Sequence, residues 1–171
     1  MTDTNDLALQ VRLLADRQEI ADLVHRYAEF VRDRTERRCV ELMTEDAWIE
    51  LRHGDALQPG EESTHQRFEG REAILGSFRQ VAGVGVVVLP MIHNLRIEID
   101  GDSAHSRCLM VSSVRPLGAE FVGEYRDTFR RVEGHWRFAS RTFIGFGDMA
   151  GGTGADAQVR FEAVKQHGTE T

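Results

Sequence analysis

Three kinds of side chain that can hold or move a proton fall on the inner faces of predicted strands: an imidazole, a carboxylate and a phenol. In MIHNLRIEIDGDSAH (91–105), Leu95, Ile97 and Ile99 alternate with polar residues, and Asp100-Gly101 is a hairpin signal. Counting back by twos puts His93 in the same apolar row, provided the strand is regular. In 119–132, Phe121, Gly123, Tyr125, Asp127 and Phe129 share one face and Glu120, Glu124, Arg126 and Arg130 the other. Cys108, Met110, Ser112 and Val114 form the inner row of the strand between. The result is an apolar surface bearing a few polar groups, which is how small-molecule sites are built. Burial favours the neutral forms of His93 and Asp127 and proximity favours the charged pair, so the two could exchange a proton near neutral pH. The same residues have a plain structural reading. His93 would bond a backbone carbonyl in the core, Asp127 would pair with Arg131, Arg137 or Arg141, and Tyr27 and Tyr125 would pack with their hydroxyls bonded.

These strands need helices to face. From Asp16 the chain reads DRQEIADLVHRYAEFVRD, in which Ile20, Leu23, Val24, Tyr27, Phe30 and Val31 recur at spacings of three and four. That is an amphipathic helix, with Asp16 as N-cap and Glu19 placed for a capping box; Leu9 and Leu13 add a helical turn or two before it. A short helix is predicted over 35–43, a strand over AWIELR (47–52), a loop over 53–64, and a third helix over 71–82 with Ile74, Phe78 and Val81 on one side. Four strands follow at 86–100, 103–116, 119–132 and 135–147, with turn signals at Asp100-Gly101, Leu117-Gly118 and Glu133-Gly134. Helices first and a meander after define an α+β chain, its helices packed on one face of a mostly antiparallel sheet. Residues 1–148 read as one domain and 149–171 as a flexible glycine-rich tail. The GGTG run at 151–154 does not join a strand to a helix in a βαβ unit, which rules out a nucleotide-binding loop.

The net charge of −7 over 171 residues argues against a nucleic-acid or anionic-membrane partner. The run RDRTERR (32–38) carries Asp33 and Glu36 and reads as a solvated helix face. Cys39 and Cys108 have neither zinc nor redox spacing and read as buried free thiols in a reducing compartment. No apolar run has the length of a membrane span, and the acidic start lacks the pattern of a signal peptide, so a cytoplasmic protein is expected. His53, His65, His93, His105 and His135 lack local ligand spacing, so neither a metal nor an organic cofactor is expected.

The segments EIADLVHRYAEFVRD, ELMTEDAWIEL, FEGREAI, IHNLRIEIDGDSA and GEYRDTFRRVEGHWRFASR, in this order and spacing, resemble the SnoaL-like family of the nuclear transport factor 2-like superfamily. The resemblance runs from about residue 10 to residue 147. It implies a cone-shaped roll in which three helices close a strongly curved sheet of about six strands around an axial pocket. Members include scytalone and bile-acid dehydratases, a dehydrochlorinase, ketosteroid isomerase, polyketide cyclases and non-catalytic dioxygenase β subunits. A homodimer or trimer is implied as well. His93 falls on the family's histidine position, whose partner is an aspartate near the end of the first helix. Counting five residues from Tyr27 reaches Arg32 instead; Asp33 comes next, turned about 100° further round an ideal helix.

Within the implied pocket the candidate catalytic residues are His93, Asp33, Asp127 and Tyr27. The candidate binding residues are Arg32, Phe30, Trp48, Phe78, Met110, Tyr125 and Arg141. Three readings follow. In the first, a cofactor-free lyase or isomerase uses His93, oriented by Asp33 or Asp127, as general base on a hydrophobic, cyclic molecule, with Tyr27 or Tyr125 donating to the developing oxyanion. In the second, Arg32 at the mouth holds a substrate carboxylate or phosphate, and His93 works with other partners. In the third, the chain binds an apolar small molecule without chemistry, or serves as a structural subunit beside a catalytic one.

Overall fold

The computed structural model describes residues 4–55, 58–83, 85, 87–115 and 119–146, with the side chains of 53–55, 58–65, 81 and 119 excepted. The glycine-rich tail and the GGTG run lie outside the described residues. Helix α1 (Thr4–Arg32) buries Ile20, Leu23, Val24, Tyr27, Ala28 and Phe30, so the predicted apolar stripe is the face that meets the sheet. The turns expected around Leu9 and Leu13 are continuous with this helix. Because α1 passes straight through Asp16, that residue does not cap it. Instead the buried Asp16 carboxylate accepts hydrogen bonds from Trp136 Nε1 (3.1 Å) and Arg131 Nη2 (2.8 Å). Glu19 accepts the Trp136 backbone N–H at 3.0 Å. Both residues tie the helix to the sheet rather than to its own backbone.

Helix α2 (Glu36–Glu41), strands β1 (Met43–Asp55) and β2 (Gln58–Glu69), and helix α3 (Arg71–Gly83) precede the meander of β3 (Val87–Asp100), β4 (Ser103–Arg115), β5 (Ala119–Val132) and β6 (His135–Phe146). The six strands form one sheet in the order β2-β1-β6-β5-β4-β3. All pairs are antiparallel except β1 with β6. The expected α+β architecture of three helices on a six-stranded, mostly antiparallel sheet is the one found. The loop expected over 53–64 is a correction: residues 53–55 continue β1 and 58–64 form most of β2. As an edge strand β2 is paired on one side only, and such a strand tolerates the proline and glycine (Pro59, Gly60) that make its composition loop-like.

Two irregularities in the meander decide which side chains face the helices. On β3, His93 pairs with Leu109 and Arg96 with Arg107, three steps along one strand against two along the other. The extra residue is Asn94, at φ +55°. On β6, Phe138 pairs with Phe129 and Ser140 with Thr128, which leaves Ala139 as an extra residue. Each bulge inverts the inward–outward alternation beyond it.

Candidate ligand pocket

Tyr27 and Val31 from α1, Cys39 from α2, Phe78 from α3 and the inner rows of all six strands surround a cavity of about 370 Å³. The strands contribute Ile49 and Leu51, Phe68, Val88, Met110 and Ser112, Tyr125, and Arg141 with Phe143. Most of this surface is apolar. The exposed lining residues Arg34, Gln66 and Gln80 mark its mouth, with the half-buried Glu36 beside them.

One charged group stands in the lining's interior. Arg141 is 1% exposed and sits across from Asp127, also 1% exposed, on the neighbouring strand. Its Nε and Nη2 donate to the two carboxylate oxygens at 2.7 and 2.8 Å, a bidentate fork. Ser106 Oγ donates to the same carboxylate at 3.3 Å. The third guanidinium nitrogen, Nη1, makes no hydrogen bond among the described residues, and neither does the buried Ser112 Oγ. Each such buried orphan costs about 1–3 kcal/mol. Aromatic rings box the guanidinium: its carbon lies 4.0 Å from the ring centroids of Tyr27 and Tyr125 and 4.6 Å from that of Phe138. The two tyrosine rings stand edge to face, 6.4 Å apart at 83°, and Phe78 packs on Tyr27 at 6.2 Å.

Burial sets the protonation of this lining. It drives the Tyr27 phenol well above its ordinary value, and the positive charge of Arg141 offsets only part of the rise. Tyr125 is pushed up to about 12 by burial, again with partial relief from Arg141. The Cys39 thiol is raised by burial to about 12. For Arg141, burial opposes the charge but the Asp127 carboxylate outweighs it, and its pKa rises. Near neutral pH these four groups therefore all keep their protons and can donate.

The structure divides the candidate residues. Tyr27, Phe78, Met110, Tyr125 and Arg141 line the cavity, and Asp127 stands behind Arg141. His93 does not: it is exposed on the outer face, because the bulge at Asn94 places Ile92 with Leu95, Ile97 and Ile99 on the packed side. Among the described residues its imidazole therefore meets neither the cavity nor a carboxylate. Arg32, the last residue of α1, and Asp33, just past it, are exposed and bond each other, Nε to Oδ1 at 2.8 Å, and neither lines the pocket. Phe30 is a core residue under the Arg38 guanidinium, 4.2 Å from its ring, and Trp48 is half-buried under Arg67 at 4.0 Å. Sequence reasoning missed Cys39, Phe68 and Phe143. For Phe143 the signal was Gly123, its diagonal neighbour on β5: a methyl group there would overlap the Phe143 ring and stand 2.5 Å from the Ile144 carbonyl oxygen. Among the described residues no group of three His, Cys, Asp or Glu side chains converges on a point. No described helix is long and apolar enough to cross a membrane.

A helix-closed, curved sheet around an apolar cavity matches a known family. The model of the SnoaL-like domain matches residues 12–142, and the chain belongs to that family. No curated protein matches the sequence. Among solved structures, an NTF2-like protein with a cystatin-like fold from Novosphingobium aromaticivorans is 27% identical, with 92% of this chain and 97% of that one covered at a TM-score of 0.67. A provisionally assigned scytalone dehydratase from the same organism is 20% identical (90% and 95% covered, TM-score 0.64). The β subunit of a provisionally assigned aromatic-ring-hydroxylating dioxygenase, also from that organism, is 18% identical (80% and 92% covered, TM-score 0.66). The last two likenesses concern the fold.

Proposed function

We propose that this chain binds a hydrophobic small molecule in the cone's cavity and does so without a histidine base. The observation that carries this reading is the make-up of the described inner lining. It offers Tyr27, Tyr125, Cys39 and Arg141 as donors, while the carboxylate behind it, Asp127, is committed to Arg141. The volume suits a ligand of one or two fused rings. A thermal-shift screen of apolar ring compounds tests it. A ligand at about 100 times its Kd adds roughly 2.7 kcal/mol of stability. Ser112→Leu, which fills the cavity, should abolish the shift while leaving the fold intact; a panel that shifts wild type and variant alike would defeat the proposal.

A second reading, a cofactor-free lyase or isomerase, draws on the convergence of two phenols and a guanidinium, an arrangement suited to a developing oxyanion. The proton acceptor would then be Glu36, the carboxylate among the described lining residues. Turnover that survives Glu36→Gln would remove that base. Assembly as a homodimer or trimer, or beside a larger catalytic subunit as the likeness to a dioxygenase β subunit suggests, is read by light scattering and by co-purification in fixed ratio.

A further inference from the structure

A buried arginine in a ligand cavity invites a carboxylate, but its neighbours point to another guest. Arg141 brings one positive charge, and Asp127 cancels it through two hydrogen bonds of 2.7 and 2.8 Å. The rings of Tyr27 and Tyr125 stand 4.0 Å from the guanidinium carbon and cover what Asp127 leaves. At the mouth, Arg34 and Glu36 supply one further charge of each sign. The described charges at and behind the cavity wall therefore sum to zero at both depths. An anion entering this space would lose its hydration and find no uncompensated cation, the situation in which burying a charge is costly. A cation would fare no better, since the deep carboxylate already accepts from Arg141 and Ser106.

What the wall does offer is donors. Nη1, the guanidinium corner turned away from the carboxylate fork, is buried without a partner among the described residues, and two protonated phenols lie against the same guanidinium. Those phenol rings pack around the guanidinium and leave Nη1 no open surface, so a guest reaches it only by parting them, as a flat group that slides between aromatic side chains can. An uncharged sp² oxygen on a ring system meets both conditions: it accepts in the plane and brings no charge to be neutralised.

Resting on the binding reading above, we propose that the cavity selects a neutral, planar ring compound bearing a carbonyl acceptor over the carboxylate of the same skeleton. Arg141 and Asp127 would act together as a dipolar hydrogen-bond donor rather than as an anion receptor.

Three probes of one skeleton test this by equilibrium dialysis against the full chain near neutral pH: naphthalene, 2-acetonaphthone and 2-naphthoate. The ketone should bind tighter than either of the others by about tenfold or more. Asp127→Asn leaves the guanidinium uncompensated and should raise naphthoate affinity by about tenfold relative to the ketone. Should that variant fail to fold, the wild-type ranking decides alone. Naphthoate binding at least as tightly as the ketone to wild type would overturn the charge argument and leave the pocket reading standing. Equal binding of naphthalene and ketone would overturn the acceptor argument in the same way. No binding by any of the three would overturn both readings.

Discussion

Arg141 faces Asp127 across adjacent antiparallel strands and closes Nε and Nη2 on its two oxygens, yet neither residue is more than 1% exposed. Removing two charges from water is expensive, and only good geometry recovers the cost. Here the recovery is incomplete, since Nη1 finds no partner among the described residues. Replacing Asp127 alone by Leu should cost about 3–5 kcal/mol, because it strands a buried guanidinium. Replacing both, Asp127→Leu with Arg141→Met, should be less damaging than the single change. Urea unfolding of the three proteins measures this, and a double variant weaker than the single one would contradict it.

The same pair explains where the sequence was readable and where it was not. Alternation placed Asp127, Tyr125 and Met110 on the inner face correctly, because β4 and the relevant stretch of β5 are regular. On β6 a count by twos from Trp136 and Phe138 sends Arg141 outward; the extra residue Ala139 returns it to the inside. On β3 the count sends His93 inward, and Asn94 sends it out. A bulge costs one residue and leaves little trace in composition, so parity fails silently beyond it. The trace that did exist was Asn94 itself, a residue type that tolerates positive φ. The edge strand β2 was hidden for a different reason: with a partner on one side only, it needs no apolar pattern to hold its place. Helices α1 and α3 were legible because their apolar stripes are the faces they bury.

Because His93 lies outside, it is dispensable. His93→Gln should leave both stability and ligand affinity unchanged, within about 0.5 kcal/mol, as for surface substitutions generally. Asn94→Val should cost about 1–2 kcal/mol through the left-handed backbone, while Asn94→Gly should be tolerated. Chemical denaturation compares the three. A large loss of binding in His93→Gln would mean that the ring reaches the ligand after all.

The clasp of Asp16 with Trp136 and Arg131 predicts an acid limit to stability. Burial alone would raise the Asp16 pKa, but hydrogen bonds from Arg131 and Trp136, with the charge of Arg131, outweigh it and hold the carboxyl below its ordinary value. A carboxyl depressed in the folded state stabilises that state above the unfolded pKa, about 3.9. The contribution is lost as the pH falls through the lower folded value. In Asp16→Asn the fall in stability below about pH 4 should be shallower than in wild type. Melting temperatures between neutral pH and strong acid give the slope, and identical slopes would remove Asp16 from the linkage.

Gly123 and Phe143 set the shape of the cavity floor. Phe143 lies over Gly123 on the adjacent strand and packs against Tyr125, with ring centroids 5.6 Å apart. Gly123→Ala forces a methyl group into that ring, so Phe143 must tilt toward the cavity it lines. Overpacking of this kind costs about 1–3 kcal/mol, and the tilted ring should also weaken ligand binding. Adding Phe143→Ala removes the ring but not the Ile144 carbonyl oxygen, 2.5 Å from the new methyl carbon. The double variant should therefore regain ligand capacity while recovering only part of the stability, because the remaining clash is with backbone that cannot swing aside. Binding and urea denaturation, measured on the single and double variants together, separate the two effects. Full recovery of stability would assign the whole strain to the ring, and no recovery of binding would deny Phe143 its place in the pocket wall.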